Sequence, residues 1–126
     1  MSKPGRMKTI LIVDDNENDR LICARKLRDE GYTTFSVSSG LEALQFVGRN
    51  PQVDLIILDI KMTPLNGIQV LQRLRAKNVD IPVILYSDYS TYRNHFATWF
   101  ADAYVVKSSD LTELKEKVKG LLTLGA

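Results

Sequence analysis

Apolar positions along the chain alternate between two periods. Short runs rich in β-branched and aromatic residues fall at 9–13, 33–37, 53–58, 82–86 and 103–106. Between them apolar side chains recur at helical spacing: Leu21, Ala24 and Leu27; Leu41, Leu44 and Val47; Val70, Leu71 and Leu74. Leu111, Leu114, Val118, Leu121 and Leu122 form a last stripe, and Tyr92, Phe96, Trp99 and Phe100 suggest a further helix between the fourth and fifth runs. Breakers separate the segments at Gly31, Gly40, Asn50-Pro51, Gly67 and Pro82. Asp110, with Glu113 three residues on, has the pattern of a capping box for the final helix. The runs ILIV, LIIL and PVILY are almost continuously apolar, as expected of central strands covered on both faces. Five strands alternating with five helices predict an α/β domain, a doubly wound five-stranded parallel sheet with helices on both faces.

Composition narrows the class. With 126 residues, 44% apolar and 25% charged, the chain reads as one ordinary globular domain, long enough to bury a core without disulfide or metal staples. The single cysteine, Cys23, excludes an internal disulfide framework and any multi-cysteine zinc site; beside the apolar face of the first helix it reads as a core thiol. Seventeen basic residues stand against 15 acidic, but Lys3, Arg6 and Lys8 belong to the tail, and the remainder has no basic stripe. Direct nucleic-acid binding is therefore not expected. No apolar run approaches the roughly 20 residues of a membrane span. The start of the chain also lacks the apolar stretch of a secretory signal. The expectation is a cytoplasmic protein with a flexible tail at 1–7, one domain at 8–124, no output domain and no membrane contact.

The chemistry gathers at strand ends. In an open parallel sheet, ligands bind beyond the carboxyl ends of the strands. The first strand ends in Asp14-Asp15, the third in Asp59, the fourth in Ser87 followed by Asp88, and the fifth in Lys107. If the first and third strands are neighbours, three carboxylates converge. Such a cluster is unfavourable unless a cation enters it. A hard divalent ion such as Mg2+ would resolve the repulsion, with Lys107 as second counter-charge and the Ser87 hydroxyl on a bound oxyanion. This set is what phosphoryl transfer onto a carboxylate requires. An EF-hand loop beginning at Asp14 fails, because Asp19 stands where Gly is needed and Arg25 where the bidentate Glu belongs. His95 has no partner in sequence and reads as a solvated side chain.

The segments ILIVDDNENDR, LIILDIKM with Gly67 eight residues after Asp59, ILYS and ADAYVVK occur in order, each closing a strand. Together they resemble the receiver domains of two-component response regulators, over about residues 8–122. The resemblance implies a flavodoxin-like receiver fold with Asp59 as phosphoacceptor. It assigns Mg2+ to Asp14, Asp15, Asp59 and the backbone carbonyl of Lys61. Ser87 becomes the switch hydroxyl, Lys107 the phosphoryl-contacting lysine and Tyr104 the switch aromatic. A sensor histidine kinase or phosphotransfer protein would be the donor, and a downstream protein target would meet the face made by the fourth helix, fifth strand and fifth helix. Seven of the ten aromatic residues lie between Tyr86 and Tyr104, which adds a possible partner or homodimer surface.

Several positions depart from the family pattern. Asp88 follows the switch serine where a small residue is usual, and a carboxylate there must point away from an incoming phosphoryl group. Thr63 replaces a proline, Phe100 a glycine, and Ser108 the proline after the lysine, so a cis peptide is not expected at that bond. Lys61 and Tyr89 flank the phosphoryl position and, with Asp88, could tune the phosphorylated lifetime. The reading is a stand-alone phosphorylation switch, not an enzyme beyond its own phosphorylation and dephosphorylation. Its alternative is a degenerate receiver acting as a phosphorylation-independent binding module. An aspartyl phosphatase is disfavoured, because Asp14-Asp15-Asn16 lacks the Asp-x-Asp spacing of that chemistry.

Overall fold

In chain order, the elements are β1 (Thr9–Val13), α1 (Glu17–Asp29), β2 (Thr33–Val37), α2 (Gly40–Arg49), β3 (Leu55–Leu58), α3 (Gly67–Ala76), β4 (Val83–Ser87), β5 (Ala103–Val106) and α4 (Thr112–Leu124). They are seen in a computed structural model that describes residues 7–88 and 100–124. The strands form one parallel sheet in the order β2-β1-β3-β4-β5. β3, β4 and β1 from Ile10 onward are buried, as their apolar runs require. Strand alternation sends side chains to two separate cores. One face packs Leu11, Ile56, Leu58, Val83 and Leu85 against Ala43 and Val47 of α2 and Val70, Leu71 and Leu74 of α3. The other packs Ile10, Ile12, Ile57 and Ile84 against Cys23, Ala24 and Leu27 of α1 and Leu114, Val118 and Leu122 of α4. The doubly wound parallel sheet expected from the sequence is the architecture observed.

Two of the expected core positions face solvent. Leu21 and Leu41 are 54% and 55% exposed. The reason is helical geometry: each lies six residues before a core residue, Leu27 or Val47, which turns it about 120° away at 100° per residue. The residue four before the anchor takes the place, Cys23 in α1 and Ala43 in α2. The third strand begins pairing at Leu55 rather than 53, although Val53 is buried, and the fourth is shifted by one residue to Val83–Ser87. The helix expected to carry Tyr92, His95, Phe96 and Trp99 falls outside the described residues.

Local chemistry fixes the helix starts. Asn16 accepts the Asp19 N–H at 2.9 Å, Ser39 accepts that of Glu42 at 3.2 Å, and Asn66 forms a reciprocal capping box with Gln69. Asp110 accepts the Thr112 N–H at 2.9 Å ahead of α4. Away from the strand ends, Arg75 of α3 ties the lower side of the sheet together. It donates to Val79 O (2.8 Å), Ile81 O (2.9 Å), Phe100 O (3.0 Å) and Asp102 Oδ2 (3.1 Å). The same Asp102 oxygen accepts the Val83 N–H at 2.8 Å, so one ion pair fixes where both β4 and β5 begin.

Candidate functional site

β1 and β3 are hydrogen-bonded neighbours with Val13 beside Leu58. Their next residues, Asp14 and Asp59, therefore emerge side by side, and the Asp59 N–H continues the ladder to Val13 O at 2.9 Å. β4 lies on the far side of β3 in register Leu58 to Leu85, which places Ser87 two residues further along. In β5 the pairing of Val106 with Ser87 puts Lys107 at the same rim, its N–H on Ser87 O at 2.7 Å. Parallel pairing thus brings four sequence-distant strand ends to one mouth.

Asp14, Asp15 and Asp59 each offer a carboxylate oxygen within 4.8 Å of the others. Asp14 and Asp59 are buried, and Asp15 is exposed. Lys107 enters the cluster with its ammonium 2.8 Å from Asp14 Oδ2, 3.1 Å from Asp19 Oδ2 and 3.7 Å from Asp59 Oδ1. It also lies 5.6 Å from the Tyr86 ring centroid. Burial pushes the Asp59 carboxyl up to about 7, with the charges of Asp14 and Asp15 adding to the rise against the pull of Lys107. Burial also opposes the Lys107 charge, but the hydrogen bond to Asp14 and the charge of Asp59 outweigh it and hold the ammonium above its ordinary range. One lysine therefore leaves the carboxylates under-compensated. An all-oxygen donor set with excess negative charge fits a hard divalent cation.

The chain brings Asp14, Asp15, Asp59, Ser87 and Lys107 together as the strand-end reading expected. Ser87 is fully buried, and by strand alternation it lies on the α2/α3 face of the sheet with Leu85. Half-buried Tyr104, paired with Leu85, packs on that same face. Lys61 is exposed, in the turn between β3 and α3. Asp88 is also exposed and borders a cleft of about 490 Å3 with Asp19, Tyr86, Lys107 and Ser108. Tyr89 is outside the described residues. Cys23 is buried beneath the cleft, and burial with the charge of Asp14 pushes its thiol up to about 12, an unreactive core thiol.

Gly67 has a steric role. A Cβ on this residue would overlap the Asp59 carbonyl oxygen, and its N–H bonds Ile60 O at 2.8 Å. Only glycine lets α3 start this close to the loop that carries Asp59. Three further residues shape the site without having been singled out from the sequence. Asp19 takes one N–H of Lys107, Tyr86 underlies the same ammonium, and Arg20 donates to the Asp14 main-chain oxygen at 2.8 Å. Asp19 had a legible signal: it is the third residue of α1 after the cap Asn16, on the turn that folds back over the end of β1.

This fold and this cluster define a receiver module. Residues 10–119 match the family model of the response regulator receiver domain, and the chain belongs to that family. Its similarity to sporulation initiation phosphotransferase F of Bacillus subtilis is 32% identity over 117 residues, covering 91% of this chain and 94% of that protein. Among solved structures, the response regulator TrrA of Thermotoga maritima, in complex with Mg2+-BeF, superposes with a TM-score of 0.87 at 46% identity, covering 92% of this chain and 100% of that one. TrrA in a complex with the histidine kinase ThkA gives a TM-score of 0.85 at 45% identity, covering 92% and 99%. The chain spans about half the length of other curated relatives, 49% of the transcriptional regulatory protein PrrA of Mycobacterium bovis and 51% of the response regulator SaeR of Staphylococcus aureus. Among the described residues, no helix is long and apolar enough to cross a membrane.

Proposed function

We propose that the chain is a phosphorylation switch in which Asp59 accepts a phosphoryl group from a phosphohistidine on a kinase or phosphotransfer partner. The observation that carries this is the meeting of Asp14, Asp15 and Asp59 within 4.8 Å beside the Lys107 ammonium. Asp14, Asp15 and Asp59 would hold Mg2+, with the Lys61 carbonyl as a further ligand. TrrA, 46% identical, is known in complex with Mg2+-BeF, which supports that cation. The kinase complex of the same protein supports a histidine kinase as donor.

The chemistry follows from the placement. An Asp59 carboxylate oxygen attacks phosphorus in line, the phosphorus–nitrogen bond breaks, and its electron pair leaves on the imidazole nitrogen. The product is an acyl phosphate on Asp59. A divalent cation bound to the acidic cluster supplies neutralisation of the carboxylates and the transferring oxygens. Lys107, tied to β5, reaches the new phosphoryl group from the Asp59 side. Ser87 and Tyr104 share one sheet face, so a Ser87 hydroxyl drawn to the phosphoryl oxygens leaves its place beside the β5 aromatic. The group adds about −1.5 to −2 charge and shifts a two-state equilibrium by its differential contacts. The signal leaves by protein contact rather than by turnover of a substrate.

Intact mass after incubation with a small phosphodonor tests this reading. A single phosphoryl adduct is expected that needs both Mg2+ and Asp59, and that Asp59→Asn abolishes. Absence of an adduct in the wild-type chain with metal present would overturn it.

A further inference from the structure

Lys107 has three N–H donors, and in the resting arrangement two of them are spent on Asp14 Oδ2 at 2.8 Å and Asp19 Oδ2 at 3.1 Å. Asp59 Oδ1, at 3.7 Å, is an ion-pair partner beyond hydrogen-bond length. Asp14 and Asp19 differ in kind. Asp14 belongs to the buried cluster that could hold a cation, and its other oxygen accepts the Asn16 N–H at 2.9 Å. Asp19 lies outside that cluster, on the first turn of α1, with its side chain 42% exposed. Its backbone N–H is the one capped by Asn16, so the side chain is not needed to start the helix.

We propose that Asp19 is a positioning residue that holds the Lys107 ammonium away from Asp59 in the resting state and so sets how tightly the site takes a phosphoryl group. The inference rests on the phosphoacceptor reading of Asp59. An oxyanion arriving at Asp59 must win an N–H of Lys107 from a carboxylate already bound to it. Asp19 is the partner released most cheaply, because water can take its place at an exposed carboxylate, whereas Asp14 is buried. The charge of Asp19 also repels the incoming anion across the ammonium they share. Both effects act in one direction: Asp19 raises the threshold for phosphoryl occupancy. The same charge attracts a cation at the neighbouring cluster, so its removal acts on the two ligands with opposite signs.

Asp19→Asn and Asp19→Ala test this in the full chain, with Mg2+ alone and with beryllofluoride at saturating Mg2+ as probes, read by calorimetry. The expected result is tighter beryllofluoride binding in both variants by roughly threefold to tenfold, the effect of one partly screened charge. Mg2+ binding should weaken by a small factor. A loss of folding or of local order would weaken both ligands together, so the opposed signs identify the positioning role. Unchanged or weaker beryllofluoride binding in both variants, with the wild type binding well, would overturn the proposal and leave the phosphoacceptor reading standing. Failure of the wild-type chain itself to bind beryllofluoride with Mg2+ would overturn the phosphoacceptor reading and this inference with it.

Discussion

Replacing Asp59 with asparagine should stabilise the metal-free protein by an amount that grows as the pH rises from about 4 to 7 and then stays level. In the folded chain, burial and then the charges of Asp14 and Asp15 hold the Asp59 carboxyl at about 7, against 3.8 for the free group. The folded state therefore keeps a proton that the unfolded state gives up. Stability from this group is complete below pH 4 and is lost as the pH rises through 7. The gap corresponds to a ceiling of roughly 4 kcal/mol at pH 8 and above. Water entry and movement of Lys107 toward the charge reduce this, and about 2 kcal/mol is the expected effect. The asparagine side chain has the same shape without the charge, and Lys107 keeps its bonds to Asp14 and Asp19. In urea unfolding with a chelator, Asp59→Asn should thus exceed the wild type by about that amount at pH 8, by less at pH 5, where the unfolded carboxyl alone is ionised, and match it at pH 3.5, where both states keep the proton. Saturating Mg2+ should close the gap, since binding at 100 times Kd stabilises the wild type by about 2.7 kcal/mol and the variant has lost one ligand. An advantage of the same size at pH 3.5 and pH 8, or none at pH 8, would refute the reasoning.

Three more outcomes follow from the same geometry. Mg2+ affinity of the wild type should fall as the pH drops from 8 to 6, because the ion must displace the proton of Asp59; calorimetry in two buffers of different ionisation enthalpy should register proton release on binding. Gly67→Ala forces a methyl against the Asp59 carbonyl and should destabilise by about 2 kcal/mol while lowering the rate of phosphoryl uptake, measured by urea unfolding and by mass. Arg75→Met removes four hydrogen bonds at the feet of β4 and β5 and should lose about 2–3 kcal/mol, with hydrogen exchange rising first at the amides of Asp102 and Val83.

Most of the architecture was legible because the period of the apolar pattern carries it. Continuous runs such as LIIL can be satisfied only by a strand covered on both faces, and β3 is buried throughout. The strand ends were legible for the same reason, since Asp14, Asp59 and Lys107 each close an apolar run. Leu21 and Leu41 were misplaced because a spacing of three mimics a helical stripe over one turn and drifts off it over two. Tyr86 and Arg20 were not legible as parts of the site, and Asp19 was so only through its place as the third residue after a helix cap. Their roles depend on where the first turn of α1 and the end of β4 sit relative to Lys107, a distance that no local pattern encodes. The Arg75 ties to Phe100 and Asp102 span 25 and 27 residues and were hidden for the same reason.

The charge balance at the strand ends is also what the proposed switch would draw on. Parallel pairing places Asp14 beside Asp59 whether or not a cation is present, because the register of β1 and β3 is set by the apolar residues below them. The repulsion cannot be relieved by moving the strands, so it is carried as an Asp59 that holds its proton near neutral pH. Each partner that enters the mouth, a cation, a phosphoryl group or a proton, changes how Lys107 divides its three N–H donors among Asp14, Asp19 and Asp59. Lys107 is joined to Ser87 through its own N–H, and the foot of the same strand is pinned by the Asp102–Arg75 pair. A change at the ammonium is therefore delivered along the short span of β5 between Lys107 and the pinned foot, which includes Tyr104, and not dissipated by sliding of the whole strand. Loosening the foot should separate the two functions. Arg75→Met should still take up a phosphoryl group on Asp59, while phosphorylation-linked changes in exchange at Tyr104 become smaller. Equal responses at Tyr104 in variant and wild type would show that the foot plays no part in transmission.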